Sequence, residues 1–123
     1  MLFLEDLNPG REFDVGSVTI DKDKMVAFAK EFDPQIFHID EAVATQMFGG
    51  LIASGNYTSS LLNRLAVDGF LGKIACMASP GLDEVRFLKP VFAGDTLSGL
   101  ITVIESKVSS SKPDRGLLKA KWK

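Results

Sequence analysis

Apolar and polar residues alternate through residues 11 to 20, "REFDVGSVTI", which predicts a half-buried β-strand. Asp21 follows this segment as a candidate N-cap of a helix. The apolar residues behind it recur at the i, i+3, i+4, i+7 spacing of an amphipathic helix: Met25, Phe28, Ala29 and Phe32. Because a proline disfavours helical geometry at the residue before it, Pro34 predicts that the helix ends near Phe32. Residues 33 to 39 are then expected to form a stiff loop.

A second, short helix is predicted from Asp40, a candidate cap, to Phe48. After two glycine-containing turns, residues 56 to 67 predict a helix that is apolar nearly all round and therefore enclosed by other parts of the protein. Three further segments have the alternation of strands: residues 82 to 88, 95 to 106 and 116 to 122. A long buried helix combined with an antiparallel sheet indicates an α+β architecture.

The amino-acid composition limits the classes of protein to which the chain can belong. The 123 residues suit one domain spanning 1–123, and 46% hydrophobic with 24% charged residues is typical of globular proteins. No apolar run is long enough for a membrane helix and the start lacks a basic leader, so a cytoplasmic location with no membrane partner is expected. One cysteine, Cys76, and one histidine predict neither a disulfide nor a metal site, and no cofactor is expected.

Charge is unevenly distributed along the chain. The net charge of −2 argues against a nucleic-acid partner. Residues 107 to 123, in contrast, carry 6 basic residues and 1 acidic residue. Two interpretations stay open for this basic end. It is either a solvated strand face or a place where Lys112 or Arg115 contacts a phosphorylated small molecule.

The candidate chemistry lies in "FDPQIFHID", residues 32 to 40, where the single histidine, His38, follows Asp33 by five positions. A carboxylate and an imidazole on one short loop can hold a water molecule and move its protons near neutral pH. Gly55, at the start of the apolar helix, offers free N–H groups and the positive end of the helix dipole to a developing oxyanion. The alternative is structural: Asp33 only stops a helix, and His38 is a buried histidine without a reaction.

Two stretches, "FDPQIFHIDEAVATQMFGGLIASG" and "VRFLKPVFAGDTL", resemble the MaoC-like dehydratases, the hot-dog-fold group that includes the (R)-specific enoyl-CoA hydratases. The resemblance extends over residues 10 to 118. It implies an antiparallel sheet wrapped around a long central helix, a homodimer, and an acyl thioester of coenzyme A or acyl carrier protein as substrate. It also implies that Asp33 and His38 are the catalytic pair and that the N–H of Gly55 holds the thioester carbonyl. Relatives commonly continue through at least one further strand beyond the position of Lys123.

The chain departs from the family pattern at several positions. Many of the hydratases carry Asn-Pro shortly after the aspartate, where this chain has Pro34-Gln35. Asn63 aligns with a helical serine of some hydratases, and Tyr57 is expected beside the substrate slot. Together with Arg115, these two residues are the further candidates for substrate contact.

Three functions are therefore considered. The first is a hydro-lyase that hydrates a 2-enoyl thioester or dehydrates a 3-hydroxyacyl thioester, and the spacing of Asp33 and His38 favours it. The second is a hot-dog acyl thioesterase, and the third is an acyl-thioester-binding protein without catalysis. The strand predicted at 95 to 106 is apolar on both faces, which independently predicts a homodimer.

Overall fold

The computed structural model describes residues 1–78, 81, 82, 84–87 and 89–108, together with the backbone of the strand at 116–122. Four helices and three strands form in this part of the chain. In order they are β1 (Glu12–Thr19), α1 (Lys22–Phe32), α2 (Ile36–Ile39), α3 (Glu41–Phe48), α4 (Gly55–Gly69), β2 (Thr96–Val108) and β3 (Gly116–Trp122). Short 3-10 helices lie at Leu4–Asp6 and Leu71–Lys73.

The boundaries of α1 and α3 follow from residues next to them in sequence. The Asp21 carboxylate accepts a hydrogen bond from the Lys24 N–H at 3.1 Å, and the Asp40 carboxylate accepts one from the Val43 N–H at 3.1 Å. Both side chains satisfy donors that the first turn of a helix leaves free. The predictions for these helices are confirmed. Among the described residues, no helix is both long and apolar enough to cross a membrane.

The segment after Pro34 differs from the predicted loop, because residues 36 to 39 form the single turn α2. The His38 N–H donates to the Gln35 carbonyl at 2.9 Å, and the Asp40 N–H donates to the Ile36 carbonyl at 2.8 Å. Proline fixes its own φ and restricts the residue before it, and neither constraint prevents a helical turn from starting two residues later. This turn carries His38.

The three strands form one sheet in the order β1-β2-β3. β2 and β3 are antiparallel, with Ile101 opposite Trp122 at one end and Val108 opposite Gly116 at the other. β1 also runs antiparallel to β2. At one end the Val103 N–H donates to the Arg11 carbonyl at 2.9 Å, and at the other the Ile20 N–H donates to the Asp95 carbonyl at 2.8 Å. The predicted strands at 11–20, 95–106 and 116–122 are therefore present.

The prediction of a strand at residues 82 to 88 is wrong for the residues of this segment that the structure describes. Residues 81, 82 and 84–87 have no regular secondary structure, and Val85 and Phe87 are 50% and 58% exposed. Alternating side chains fit a pleated surface but do not supply the neighbouring strand that a ladder of hydrogen bonds requires. A turn follows, in which the Asp95 carboxylate accepts a hydrogen bond from the Phe92 N–H at 2.9 Å.

The chain divides into two compact units. Unit 1 consists of the described residues within Met1–Ser17, Asn63–Ser79 and Ser98–Lys123. Its core combines the end of α4 with β1, β2 and the N-terminal segment: Leu7, Val15, Ala66, Phe70, Ile74, Ile101 and Val103. Helix and strand approach closely here, since a Cβ atom added to Gly69 would lie 2.9 Å from the Cα of Val15. Within this unit the sheet packs against the long helix.

Unit 2 consists of the described residues within Val18–Leu62 and Pro80–Leu97. Its buried core brings together α1, α3 and the beginning of α4: Ile20, Met25, Ala44, Leu51, Ala53 and Tyr57. Two polar residues, His38 and Ser54, are buried in the same unit. Unit 2 therefore contains the segment that carries the candidate chemistry.

Candidate active site

Asp33 and His38 lie close together although an intervening proline separates them. α1 ends at Phe32, where the Asp33 N–H still donates to the Ala29 carbonyl at 2.8 Å, and α2 then turns the chain back. The His38 Nε2 atom is 3.4 Å from the Asp33 Oδ2 atom. The two side chains are 7% and 17% exposed, so the pair is shielded but reachable.

The other nitrogen of His38 determines which tautomer the ring adopts. Nδ1 lies 2.8 Å from the backbone carbonyl oxygen of Ile52. Because a carbonyl oxygen only accepts hydrogen bonds, Nδ1 must carry the proton, and the neutral ring presents an unprotonated Nε2. The lone pair of Nε2 consequently faces the Asp33 carboxylate, and two hydrogen-bond acceptors stand opposite each other. A water molecule can donate to both.

Both carboxylate oxygens of Asp33 accept hydrogen bonds from neutral donors. The Gln35 amide donates to Oδ1 at 2.7 Å, and the Ser54 hydroxyl donates to Oδ2 at 2.7 Å. The bond from Gln35, followed by that from Ser54, holds the pKa of Asp33 below its ordinary value of 3.8. Burial opposes this shift and the nearby His38 adds to it. Asp33 is therefore a carboxylate anion at neutral pH.

Ser54 and Gln35 were not among the residues that the sequence singled out. Ser54 is fully buried, at 0% exposure, directly before the first residue of α4. A serine at the start of a predicted helix indicates an N-cap. In the structure its hydroxyl instead reaches a carboxylate 21 positions earlier in the chain. Gln35 is adjacent to the motif, but only the turn of α2 shows that its amide reaches back to Asp33.

Gly55 is the first residue of α4, and the first N–H groups of a helix have no partner within the helix. The phenyl ring of Phe87 packs against the α-carbon of this glycine. A Cβ atom at residue 55 would lie 2.7 Å from the ring. The position thus combines a backbone donor that the helix itself does not use with a close approach that a side chain would prevent.

The remaining sequence-predicted residues are Tyr57, Asn63, Lys112 and Arg115. Tyr57 is 9% exposed in the core of unit 2, where its ring centroid lies 5.2 Å from that of Phe28. Burial, with the nearby negative charge of Asp21, raises the pKa of Tyr57. Asn63 belongs to unit 1 and is exposed, so its substrate contact stays a prediction. Lys112 and Arg115 lie outside the described residues.

Several large apolar side chains of unit 2 are exposed. They are Phe32 at 64%, Ile36 at 51%, Met47 at 54%, Phe48 at 41% and Phe87 at 58%. Phe32 and Ile36 lie on either side of Asp33 in sequence, and Phe87 contacts Gly55. Exposed apolar groups of this kind mark surfaces that bind an apolar ligand or another chain.

The family model of the MaoC like domain matches residues 6–117. The chain therefore belongs to the MaoC-like dehydratase domain family. The expected α+β hot-dog fold, with its antiparallel sheet and central helix, is confirmed by solved structures of high similarity.

Among these is the MaoC-like dehydratase from Rhodospirillum rubrum, which is 38% identical, has a TM-score of 0.89, and matches over 99% of this chain and 84% of its own. The (R)-hydratase from A. caviae involved in PHA biosynthesis is 24% identical over 96% of this chain and 86% of its own, with a TM-score of 0.65. At that identity the likeness shows the fold alone.

Relatives known from sequence cover most of the chain as well. The protein YdeM of Bacillus subtilis is 34% identical over 106 residues, which is 85% of this chain and 74% of YdeM. Nodulation protein N of Rhizobium leguminosarum bv. viciae is 30% identical over 124 residues, 85% of this chain and 77% of that protein.

Proposed function

We propose that this protein is a hydro-lyase that adds water to a 2-enoyl thioester and, in reverse, removes water from a 3-hydroxyacyl thioester. The observation that carries the proposal is the pair of opposed acceptors, His38 Nε2 and Asp33 Oδ2, 3.4 Å apart and largely shielded from solvent. Membership of the MaoC-like dehydratase domain family supports the same reaction class.

The proposed site holds its water through hydrogen bonds to both members of the pair. A water molecule lying beside the line between Oδ2 and Nε2 donates one proton to each atom. Its oxygen lone pairs are then directed away from the protein, toward a substrate carbon. Positioning one water in this way removes most of the orientational freedom that a reaction in solution would have to lose.

Hydration then requires one proton transfer in each direction. His38 Nε2 takes a proton as the water oxygen bonds to the β-carbon, and the electrons of the C=C bond move onto the α-carbon and the thioester carbonyl. The imidazolium returns that proton to the α-carbon, so atoms and charge balance. Asp33, kept ionised by its two hydrogen-bond donors, stabilises the imidazolium between these steps.

The thioester carbonyl gains negative charge as the enolate forms, and Gly55 is the proposed donor to it. A free N–H at the positive end of α4 offers a hydrogen bond that strengthens as the charge develops. The missing side chain lets the thioester approach the backbone, with the Phe87 ring as a neighbouring wall. The carrier of the acyl group is proposed to be coenzyme A or acyl carrier protein.

An assay with crotonyl-CoA tests the proposal against its rivals. We expect loss of the enoyl absorbance without release of free thiol, and we expect Asp33→Asn protein to lack this activity. Release of thiol would instead identify a thioesterase. Absence of both changes with short, medium and long 2-enoyl thioesters would leave an acyl-thioester-binding protein and reject catalysis.

A further inference from the structure

We propose that Ser54 is a positioning residue that fixes the orientation and ionised state of the Asp33 carboxylate for the water step. This inference rests on the proposed function and extends it to a residue outside the Asp-His pair. It also assigns different roles to the two residues of the pair: His38 Nε2 accepts the proton, and Asp33 stays an anion in a fixed orientation.

The contact between Ser54 and Asp33 involves the oxygen that matters for the reaction. The Ser54 hydroxyl donates at 2.7 Å to Oδ2, the same atom that lies 3.4 Å from His38 Nε2. The carboxylate could otherwise rotate about its terminal bond, which is a soft torsion. With Oδ2 held by Ser54 and Oδ1 held by Gln35, rotation would break two short hydrogen bonds.

Ser54 also ties the carboxylate to the beginning of α4. Its backbone carbonyl accepts hydrogen bonds from the N–H groups of Tyr57 at 2.9 Å and Thr58 at 3.1 Å, so the residue is part of the first helical turn. Gly55 is the next residue along the chain. One fully buried serine therefore links the group that orients the water to the helix end proposed to bind the carbonyl.

Loss of the hydroxyl has a definite chemical consequence. Oδ2 would lose its donor from Ser54, and the carboxylate would become easier to protonate. The charged or titratable group that acts on Asp33 besides these neutral donors is His38, and it is unchanged in such a variant. A shift in the titration of Asp33 can then be assigned to the missing hydrogen bond.

The lone histidine makes this titration measurable without any substrate. The sequence contains 1 histidine, so the untagged protein labelled in its imidazole gives one set of ring NMR signals. Protonation of Asp33 changes the electric field at Nε2. The chemical shifts of the ring signals, followed as a function of pH, should therefore show an inflection at acidic pH. In the wild type we expect the pH of this inflection to lie below 3.8, the ordinary pKa of the aspartate. This measurement on the wild-type protein does not depend on whether a variant folds. In Ser54→Ala we expect the inflection at higher pH.

Kinetics provide the second measurement. Because Ser54→Ala removes a hydrogen bond to a charged group, it should lower kcat about 10-fold or more. KM should change little, because the serine does not touch substrate. Ser54→Cys, close in volume but a weak donor, should fall between wild type and alanine. Ser60→Ala is the matched control, because this exposed serine of α4 donates only to the Asn56 carbonyl within the described residues. Its NMR titration and kcat should match wild type.

The outcomes separate this inference from the proposed function. If wild type hydrates a 2-enoyl thioester but Ser54→Ala keeps the wild-type inflection or the wild-type kcat, the role of Ser54 is rejected and the reaction stands. A wild-type inflection at or above 3.8 also overturns the inference. If wild type hydrates nothing, the proposed function fails, and the NMR shift alone decides whether Ser54 controls Asp33.

Discussion

The chemical roles of Asp33 and His38 are set by the groups that surround each side chain. A backbone carbonyl fixes the imidazole tautomer, and two neutral donors keep the carboxylate ionised. In another loop the same two side chains could point to separate surfaces. The hydrogen bonds, rather than the residue types alone, therefore suit the pair to the proposed activation of water.

Replacing either member of the pair is expected to remove hydration while the fold persists. General acid–base groups contribute about 10²–10⁴-fold, so Asp33→Asn and His38→Ala should each lower kcat by that order. Circular dichroism should show folded protein in both cases. Asp23→Asn, a change of an exposed carboxylate on α1, is the control and should retain activity. Near-full turnover in either site variant would exclude the proposed mechanism.

The lowered pKa of Asp33 predicts a pH-dependent contribution to stability. The folded protein holds this proton more weakly than the unfolded chain does, so the stabilisation is complete above 3.8 and is lost as pH falls through that value to the lower folded pKa. The difference in free energy of unfolding between wild type and Asp33→Asn, measured by urea denaturation, should shrink across this window. A difference that stays constant with pH would contradict the assignment.

At the scale of elements, α4 contains two glycines, and the groups packed against them differ. At Gly55 the nearest group to an added Cβ is the ring of Phe87, an exposed side chain that can move. At Gly69 the nearest atoms include the backbone Cα of Val15 at 2.9 Å, which cannot move without shifting β1. The first glycine is suited to ligand approach, and the second to the packing of helix on sheet.

This difference predicts opposite effects of the same substitution. Gly69→Ala should lower the free energy of unfolding by about 1–3 kcal/mol, the usual cost of overpacking. Gly55→Ala should leave stability nearly unchanged but reduce kcat/KM for a 2-enoyl thioester, because the methyl group displaces the Phe87 ring beside the proposed carbonyl site. Urea denaturation and steady-state kinetics on both variants provide the check. Equal losses of stability would remove the distinction between the two positions.

At the scale of the whole molecule, several large apolar side chains among the described residues remain exposed. One face of β2 is buried, with Ile101 and Val103 each 1% exposed, whereas Ile104, at the irregularity in the pairing with β3, is 47% exposed. Unit 2 exposes further large apolar side chains, including Phe32 and Phe48. Surfaces of this kind are normally covered by another chain or a ligand.

A homodimer is therefore predicted, with a mass of twice 13.4 kDa by light scattering at micromolar concentration. Ile104→Lys should shift the protein toward monomer, since it replaces an exposed apolar side chain of β2 with a charge. Glu105→Lys, at the neighbouring exposed position, is the control for a changed charge and should remain dimeric. A monomeric wild-type mass under these conditions would refute the prediction.

Elements whose signals are local could be predicted from the amino-acid sequence. Asp21 and Pro34 set the beginning and end of α1, Asp40 sets the start of α3, and alternating residues predict β1 and β2. These features depend on hydrogen bonds and periodicity within a few positions along the chain, so they can be recognised from neighbouring residues. The motif around Asp33 and His38 was likewise visible as a pattern.

The groups that surround this motif can be identified only in the folded chain. The carbonyl of Ile52 and the hydroxyl of Ser54 reach His38 and Asp33 because the segment before α4 lies beside α2, and contacts between segments distant in sequence produce no periodic pattern. The absence of a strand at 81, 82 and 84–87 has the same cause. A strand forms only where a partner lies alongside, and the position of a partner is a property of the packed chain.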